Sequence, residues 1–337
     1  MDWRDGESHE RFAFRPRPFD KKQFDEPMTS NDLVTAVITT KDRPEFLRRA
    51  VSSVLTQSYR PLELVIVDDG SASPVTEEMF QRSNDVELRI VRNESARGVS
   101  AARNFGVSNA RGRFVAFLDD DDRWLADKVE RQVNLLASRS DEVLACGCQI
   151  TIVDHNGNNI SDPERPTLPE DIIASLTYSD ENITPSTLMF DRQTFIELGG
   201  YREDMPAAED REFLLRFLLR YGLEVLPERM VQFTEHKGER LTRNSDAMFL
   251  GELKYLEFVK AHAGPLGVKQ HRAVGYRYAK VGHQAMLAGR WLIGLENFTR
   301  GMLTYPFDKR IVGGWLLALL GPNLYYLLIS LRIERIR

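Results

Sequence analysis

The 337-residue sequence has little cysteine, no excess of basic charge and no glycine-rich phosphate-binding motif. Its two cysteines, Cys146 and Cys148, are too few for a disulfide framework and too close together for a structural zinc site. Lys and Arg number 45 against 50 Asp and Glu, so the net charge is −5. No global positive field therefore favours nucleic acid as a partner. These absences exclude a disulfide-rich secreted scaffold and argue against a nucleic-acid-binding protein.

Two phosphate-binding motifs are also missing. No Gly-x-Gly-x-x-Gly segment follows a predicted strand, and no Gly-x-x-x-x-Gly-Lys-Ser/Thr segment occurs. The sequence therefore argues against a dinucleotide-dependent dehydrogenase and a P-loop NTPase. A diphosphate bound by this chain would need a metal ion and scattered cations, for which Lys41, Arg97 and Arg103 are candidates.

The first residues contain no apolar segment of the kind that a secretory signal requires. We expect residues 1–30 to form a loosely ordered polar arm and the protein to be cytoplasmic. The length and the ordinary globular composition predict two domains, or one large α/β domain with an appendage.

From residue 33 onward, short apolar runs alternate with helical patterns. This alternation predicts an α/β fold with a mostly parallel, doubly wound sheet over residues 31–245. The predicted strands are 33–39, 62–67, 86–91, 114–118 and 143–150. The predicted helices are one that begins at Pro44 and others at 75–81, 99–110, 126–137 and 211–221.

The pattern becomes wholly helical near the C-terminus, and we expect an all-helical appendage over residues 246–310. The stretch 311–331 has no charged residue, but Gly321-Pro322-Asn323 interrupts it. Three interpretations stay open: a transmembrane helix, a kinked helical hairpin in the membrane interface, and a buried or dimerising helix pair. Pro322, the pair Tyr325-Tyr326 and the basic C-terminal end favour a membrane-associated segment over 311–337.

Aspartates cluster where two predicted strands end. Asp119 to Asp122 follow the apolar run FVAFL, and Asp68-Asp69 follow LELVIV. In open α/β sheets ligands bind beyond the carboxyl ends of the strands, and Thr40-Lys41 lies at the same edge. Adjacent carboxylates suit Mg²⁺ or Mn²⁺, which prefer hard oxygen ligands. The alternatives are a solvated acidic turn for the first cluster and a helix N-cap for the second.

Five segments, read in order, resemble a family of known enzymes. They are VTAVITTKDRPEFLRRAVSSVLTQSY, LELVIVDDGS, ARGVSAARNFGVSNARGRFVAFLDDDDRWLADKVERQ, LGGYREDMPAAEDREFLLR and FTEHKGERLTRN. Over roughly residues 33–245 the chain is similar to family 2 glycosyltransferases, which have the nucleotide-diphospho-sugar transferase fold called GT-A. The resemblance implies inverting transfer of a sugar from a nucleotide diphosphate donor, with Mg²⁺ or Mn²⁺ as cofactor.

The resemblance also implies roles for individual residues. Asp69 would bind the nucleotide base with Asp68 beside it, and Arg103 would approach the nucleotide or its phosphates. The run Asp119 to Asp121 takes the place of the family's Asp-x-Asp triplet, and Asp120, with Thr40 and Lys41, would also bind the nucleotide sugar. In that run Asp121 is the best candidate metal ligand, and Asp119 would face the donor ribose or sugar as well as the metal.

Asp210 matches the family's general base, and His236 and Arg240 fall where many members close a loop over the diphosphate. A base is needed on chemical grounds, because single displacement at an anomeric carbon must remove the proton of the acceptor hydroxyl. We expect the N-terminus of a helix to keep Asp210 ionised. The alternative is that Asp210 only caps the helix.

One departure concerns the nucleotide. Many relatives carry Tyr-Asn after the first strand, where this chain has Lys41-Asp42. We expect a UDP-sugar donor, with dTDP- and GDP-sugars left open. The acceptor would be a glycan or a lipid-linked glycan, used for polysaccharide or cell-envelope assembly at the inner face of the cell membrane.

Two other functions compete with this interpretation. A sugar-phosphate nucleotidyltransferase has a related nucleotide-binding topology, but it requires a glycine-rich loop after the first strand, and residues 39–43 contain no glycine. A membrane-associated scaffold without activity is favoured only by the Lys41 departure. The intact aspartate run and Asp210 argue against a scaffold.

Overall fold

The computed structural model describes residues 28–81, 83–139, 143–160, 171–178, 184–236 and 244–334, with side chains up to residue 328. The predicted polar arm lies almost entirely outside the described residues. Arg240 lies outside them as well.

One mixed sheet of eight strands forms the centre of the described chain, in the order β3-β2-β1-β4-β7-β6-β8-β5. The strands are β1 (Val34–Thr40), β2 (Leu62–Asp68), β3 (Val86–Arg92), β4 (Phe114–Asp119), β5 (Arg123–Trp124), β6 (Val143–Val153), β7 (Met189–Asp191) and β8 (Gly222–Thr234). The block β3-β2-β1-β4 is parallel, whereas β7 runs antiparallel between β4 and β6. The predicted α/β fold is confirmed, with an antiparallel insertion in its sheet.

The inner parallel strands are largely apolar because helices cover both faces of the sheet, whereas the edge strand β3 is only partly buried. Every residue of β2 is buried, as parallel strands in such sheets require. Successive residues of β1 point alternately into two cores, Val37 into one and Ile38 into the other. The chain therefore has helical layers on both sides of the sheet.

The helices pack on these two faces and extend beyond the sheet at the C-terminal end. They are α1 (Pro44–Leu55), α2 (Val99–Ser108), α3 (Lys128–Ala137), α4 (Ile172–Tyr178), α5 (Arg192–Glu197), α6 (Glu209–Leu218), α7 (Ser245–His262), α8 (Gln270–Leu287), α9 (Trp291–Thr304), α10 (Lys309–Leu319) and α11 (Pro322–Glu334). The helix predicted at 75–81 was wrong. Only the single 3₁₀ turn Glu77–Met79 forms there, because this segment has no buried residue to hold a longer helix against the sheet.

The strand order fixes where a ligand can bind. Strand β1 pairs with β2 on one side and with β4 on the other, so the chain direction across the sheet reverses beside β1. In register, Thr39 pairs with Asp119 and Thr40 pairs with Asp68. Both aspartate clusters and the end of β1 therefore share one edge, at the topological switch point.

The C-terminal helices share a core with the sheet domain. Tyr255 and Val259 of α7 lie in the same hydrophobic cluster as Phe213 of α6. A buried ion-pair chain also joins these helices, since Glu252 accepts from Arg211 of α6 at 2.6 Å and from Arg277 of α8 at 3.4 Å. Helix α7 therefore supports α6 directly.

The apolar C-terminal stretch forms two helices. Gly321, with φ of 88°, separates α10 from α11. Tyr325 of α11 packs into the helical core, and its hydroxyl lies 2.6 Å from Nδ1 of His283. Within the described residues, no helix combines the length and apolar character that membrane crossing requires.

Gly251→Ala tests how closely α7 packs behind α6. A Cβ atom at Gly251 would overlap the carbonyl oxygen of Ala207, a backbone atom that cannot rotate away. We expect the free energy of unfolding to fall by about 2 kcal/mol, measured by urea denaturation. The control is Gly264→Ala, where no atom lies within 4 Å of the added Cβ. Equal urea midpoints for the two variants would contradict this packing.

Candidate active site

The four consecutive aspartates form a tight turn in which Asp122 has a structural role. The backbone N–H of Asp122 donates to the carbonyl of Asp119 at 3.0 Å. The carboxylate of Asp122 is buried and accepts from the Ser186 hydroxyl at 2.7 Å and from the Thr234 N–H at 3.1 Å. Burial raises its pKa well above the usual range. Asp122 therefore ties the end of β4 to β8.

Asp120 ties the same turn to β1. Its carboxylate is buried and accepts from the Thr40 hydroxyl at 2.7 Å and from Arg43 at 3.1 Å. Burial raises the pKa of Asp120 to about 6, although Arg43 opposes the shift. Thr40 and Asp120, both predicted to bind the nucleotide sugar, are thus hydrogen-bonded to each other.

Asp121 meets His236 at the edge of the turn. Oδ2 of Asp121 lies 2.9 Å from Nε2 of His236 and 3.3 Å from Nη1 of Arg43. The buried His236 ring packs against Phe46 of α1, with 4.7 Å between the ring centroids. The structure therefore brings two of the predicted site residues into direct contact.

This pair fits a divalent metal ion. Adjacent ligands of an octahedral ion with bonds of about 2.1 Å are themselves separated by about 3 Å, close to the Asp121–His236 distance. Within the described ranges, no group of three His, Cys, Asp or Glu side chains converges as a metal site. A metal ion here would take its other ligands from a substrate or water, as Mg²⁺ commonly does.

Arg103 connects the aspartate turn to the beginning of α6. Its guanidinium donates to Asp119 at 2.6 Å and to Glu209 at 3.0 Å. It also lies over the ring of Tyr201, at 5.5 Å from the centroid. Burial disfavours the charged guanidinium, but Asp119 and Glu209 outweigh it and raise the pKa of Arg103. Arg103 therefore holds two acidic groups, from distant parts of the chain, at one site.

Asp210 lies in the first turn of α6, directly after Glu209. Ala208 precedes them with φ of 63°, so the chain makes a left-handed turn into the helix. Burial raises the pKa of both acids, to about 7 for Glu209, whose pKa the neighbouring Asp210 raises further. The sequence predicted that the helix N-terminus keeps Asp210 ionised; burial raises the pKa of Asp210, and its ionised state stays a prediction. A carboxylate with a pKa shifted toward neutrality is better suited to act as a general base.

Asp68 organises the turn after β2. Its buried carboxylate accepts from the N–H groups of Ser71 at 2.8 Å and Val75 at 3.1 Å, and it pairs with Arg92. These bonds replace the helix N-cap that the sequence left open, since no α-helix follows. The predicted place of Asp68 beside the nucleotide base stays a prediction.

Asp69 holds the loop that leads into α2. Its carboxylate accepts from the side-chain amide of Asn93 at 2.8 Å and from the N–H groups of Arg97 at 2.9 Å and Gly98 at 3.0 Å. Asp69 is buried, and these three donors fix its orientation. Its predicted contact with a nucleotide base also stays a prediction.

The residues after β1 lie at the same edge of the sheet as the loop after β2. Lys41 is exposed. Asp42 adopts a left-handed conformation with φ of 55°. Its N–H donates to the Ser71 hydroxyl at 3.0 Å, and its carboxylate accepts from the Ala72 N–H at 2.7 Å. The loops after β1 and β2 are therefore joined.

Three residues of the site were missed by sequence reasoning. Arg43 neutralises Asp120 and Asp121, Glu209 pairs with Arg103, and Ser186 bridges Asp122 and the N–H of Asp119. Arg43 and Glu209 each adjoin a predicted segment, which is a usable signal. Ser186 gave no signal, because only the fold brings its 3₁₀ turn to the end of β4.

The mixed sheet and its acidic edge at the switch point place this protein in the class of α/β proteins with the GT-A fold. The model of the family described as "Glycosyl transferase family 2" matches residues 35–199. The Bacillus subtilis protein named putative teichuronic acid biosynthesis glycosyltransferase TuaG is 31% identical over 241 residues, covering 68% of this chain and 91% of that protein. The chain therefore belongs to glycosyl transferase family 2.

Other relatives are matched over less of their length. The Escherichia coli UDP-Glc:alpha-D-GlcNAc-diphosphoundecaprenol beta-1,3-glucosyltransferase WfgD is 36% identical over 104 residues, which cover 31% of this chain and 41% of WfgD. An uncharacterised glycosyltransferase of Rickettsia felis is 24% identical over 253 residues, which cover 69% of this chain and 40% of that protein. The chain thus spans about two fifths of the length of these two relatives.

Solved structures are similar in fold. The S. aureus TarS 1–349 structure with UDP-GlcNAc has a TM-score of 0.54 at 18% identity, covering 81% of this chain and 91% of that one. The mannosyltransferase PcManGT from Pyrobaculum calidifontis, solved with GDP-Man and Mn²⁺, has a TM-score of 0.50 at 19% identity, covering 91% of this chain and 90% of that one. The GT-A fold predicted from the sequence is confirmed.

Arg103→Gln tests the ion-pair bridge between the aspartate turn and α6. The substitution leaves Glu209 buried and Asp119 unneutralised, so we expect the free energy of unfolding to fall by about 3 kcal/mol. Arg97→Gln is the matched control, because Arg97 makes an exposed pair with Glu203. Such pairs contribute little, and the control should change stability by less than about 1 kcal/mol. Chemical denaturation measures both, and similar losses for the two variants would refute the bridge.

Proposed function

We propose that this protein is a metal-dependent inverting glycosyltransferase that moves a sugar from a nucleotide diphosphate donor to an acceptor hydroxyl. The observation that carries the proposal is one continuous acidic edge. There Asp121 meets His236, and Arg103 joins Asp119 to the pair Glu209-Asp210. Metal-binding and base functions are thus side by side, as one displacement reaction requires.

In this mechanism Asp210 removes the proton from the attacking acceptor hydroxyl. Burial raises the pKa of Asp210, so it accepts the proton more readily than an exposed aspartate does. Arg103 pairs with Glu209, the residue before Asp210, and with Asp119 of the aspartate turn. Inversion at the anomeric carbon requires that Asp210 act on the face opposite the leaving diphosphate.

Asp121 and His236, with the free oxygen of Asp119, are the residues that would hold Mg²⁺ or Mn²⁺. The metal ion would supply charge neutralisation for the departing diphosphate. Arg43 lies against Asp120 and Asp121, where its positive charge limits their mutual repulsion. PcManGT was solved with Mn²⁺, which favours the same cofactor here.

The donor is a nucleotide sugar, and we favour a UDP-sugar. TarS is bound to UDP-GlcNAc, and WfgD is named for UDP-Glc, whereas PcManGT carries GDP-Man. Asp68 and Asp69 hold the two loops that would flank the base, and Lys41 is exposed beside them. We place the base at this edge, with dTDP- and GDP-sugars as the alternatives for a donor screen.

The acceptor is a glycan or a lipid-linked glycan of cell-envelope polysaccharide assembly. TuaG is named for teichuronic acid biosynthesis and WfgD for a GlcNAc-diphosphoundecaprenol acceptor. The catalytic unit would comprise residues 31–245 and the helical unit 246–310. An enzyme that transfers sugars to lipid-linked acceptors would act in the cytoplasm, at the inner face of the membrane.

Asp210→Asn and Asp121→Asn test the catalytic roles. We expect each to lower transfer by about a thousandfold, through loss of the base in one and of a metal ligand in the other. The control Asp204→Asn removes an exposed carboxylate that pairs with Arg202 and Lys254, and it should keep its turnover. The assay measures nucleoside diphosphate release from nucleotide sugars with Mn²⁺, and thermal unfolding verifies that each variant folds.

The products separate this function from its competitors. Release of pyrophosphate from a nucleoside triphosphate and a sugar phosphate would establish a nucleotidyltransferase instead. If calorimetry detected no Mn²⁺-dependent binding of any nucleoside diphosphate, the result would favour the scaffold without activity. Full turnover by either aspartate variant would overturn the roles assigned to Asp121 and Asp210.

We also propose that the apolar segment 311–337, which contains most of α10 and all of α11, binds the membrane surface. Leu316 and Leu320, one helical turn apart on α10 and at its end, are 52% and 56% exposed, and Leu327 of α11 is 54% exposed. Exposed apolar patches of this kind, close to a basic residue such as Lys309, suit the interface of anionic lipids.

A double substitution, Leu316→Asp with Leu320→Asp, tests this surface in the full chain. We expect binding to vesicles of phosphatidylethanolamine and phosphatidylglycerol to fall by about tenfold, because two apolar contacts become charged. The control is Ile196→Asp, because Ile196 of α5 is an exposed apolar residue of the same size as leucine. This variant should sediment with vesicles as the wild type does. Unchanged sedimentation of the double variant would exclude this surface.

A further inference from the structure

A second concave site lies beside the catalytic edge, between α1 and the pair β5–β8. It is an open cleft of about 630 Å³, a size typical of ligand-binding pockets. Arg48 and Arg49 of α1 and Arg123 of β5 line it, together with the polar side chains of Ser52, Thr56 and Gln232. No step of the proposed transfer reaction uses these residues. We call this site the arginine cleft.

The arginine cleft carries an excess of positive charge. Among the described residues that line it, the only acid is Glu45, which pairs with Arg48 at 2.5 Å. The charges of Arg49 and Arg123 have no carboxylate of the lining to offset them. Burial lowers the pKa of Arg123, and the nearby Arg49 lowers it further, as expected for two cations that face one another.

Arg123 also has an unused hydrogen-bond donor. Its Nε is buried and makes no hydrogen bond within the described chain. This atom is enclosed by protein, so a phosphate in the open cleft would meet the outer N–H groups of the Arg123 guanidinium instead. Guanidinium groups recognise phosphates well, because their planar N–H groups form paired, charge-assisted hydrogen bonds.

The arginine cleft is adjacent to the proposed metal site. Arg49 lies over the ring of Phe46, 6.0 Å from its centroid, and Phe46 packs on His236. His236 in turn contacts Asp121, and Arg123 follows Asp121 by only two residues. One substrate could therefore occupy the cleft and reach the catalytic edge.

We propose that the arginine cleft binds a phosphate or diphosphate group of the acceptor, the group that joins the acceptor glycan to its carrier. This inference rests on the proposed glycosyl transfer. The donor diphosphate is assigned to the Asp121–His236 edge, so a second anion site fits the acceptor. A neutral sugar hydroxyl would require neither Arg49 nor Arg123. The cleft thus selects acceptors by their phosphate.

The first test measures binding of inorganic pyrophosphate by the full chain in the presence of a chelator, which removes metal-dependent binding at the catalytic edge. Isothermal titration calorimetry should show that Arg49→Gln and Arg123→Gln each weaken binding by about tenfold, through loss of a charge-assisted bond. Arg131→Gln, at an exposed arginine paired with Asp127 on α3, is the control and should bind as wild type. Circular dichroism verifies the fold of each variant.

A third variant distinguishes loss of positive charge from the loss of packing that the arginine substitutions also cause. Ser52→Asp adds a negative charge at the exposed rim of the cleft without removing a buried group. We expect it to weaken pyrophosphate binding by a similar factor. Wild-type affinity in Ser52→Asp and both arginine variants, or no binding by the wild type, would overturn the cleft assignment.

The second test links the cleft to the acceptor. With a diphosphate-linked acceptor, the arginine variants should raise KM for the acceptor about tenfold with little change in kcat, since they contact only bound substrate. If pyrophosphate binding depends on the arginines but no variant or wild type transfers sugar, the proposed function fails and the anion site stands. If transfer occurs and the arginine variants keep the wild-type acceptor KM, the cleft proposal fails alone.

Discussion

Four consecutive carboxylates at the end of β4 are the constraint to which the surrounding structure responds. Like charges this close repel, and burial of Asp120 and Asp122 makes their ionisation still harder. Arg43, from the segment after β1, and Arg103, from α2, offset the negative charge through ion pairs. The hydroxyl groups of Thr40 and Ser186 donate hydrogen bonds to the buried carboxylates. Each of these partners comes from a different element, so the aspartate turn holds the site together as well as containing its chemistry.

The four carboxylates divide into two pairs by environment. Asp120 and Asp122 are buried and satisfied by hydroxyl and backbone donors, and they fix the path of the chain. Asp119 and Asp121 are more exposed at the edge, where they meet Arg103 and His236. Burial therefore separates Asp120 and Asp122, which fix the path of the chain, from Asp119 and Asp121, which we propose as metal ligands.

Support for Asp210 extends well beyond the catalytic edge. Arg211, the next residue on α6, pairs with Glu252 of α7, and Glu252 pairs with the fully buried Arg277 of α8. Arg277 also lies over the ring of Tyr255, and its Nε donates to the Thr177 carbonyl at 2.8 Å. Buried ion pairs of this kind tolerate no loss of a single partner. The helices that follow the sheet therefore buttress the position of Asp210.

Local pattern was sufficient to predict the parallel strands, most of the helices and the acidic runs at the strand ends. Buried parallel strands are read as continuous apolar runs, and the order of motifs identified the family before the geometry was known. The helix expected at 75–81 did not form, because periodicity could not reveal that this segment contributes only partly buried side chains, such as Val75 and Phe80, to the core. Predicting the break at Gly321 was possible because Gly and Pro act locally.

The contacts between distant segments were decided only by the tertiary structure. The sequence placed Asp121, Asp210 and His236 as separate candidates, but only the sheet order brings Asp121 against His236 and links Asp119 through Arg103 to Glu209. Burial raises the pKa values of Glu209 and Asp210, and burial cannot be read from the residues adjacent in the sequence. The arginine cleft likewise exists because α1 lies beside β5 and β8, elements whose proximity is a property of the whole fold.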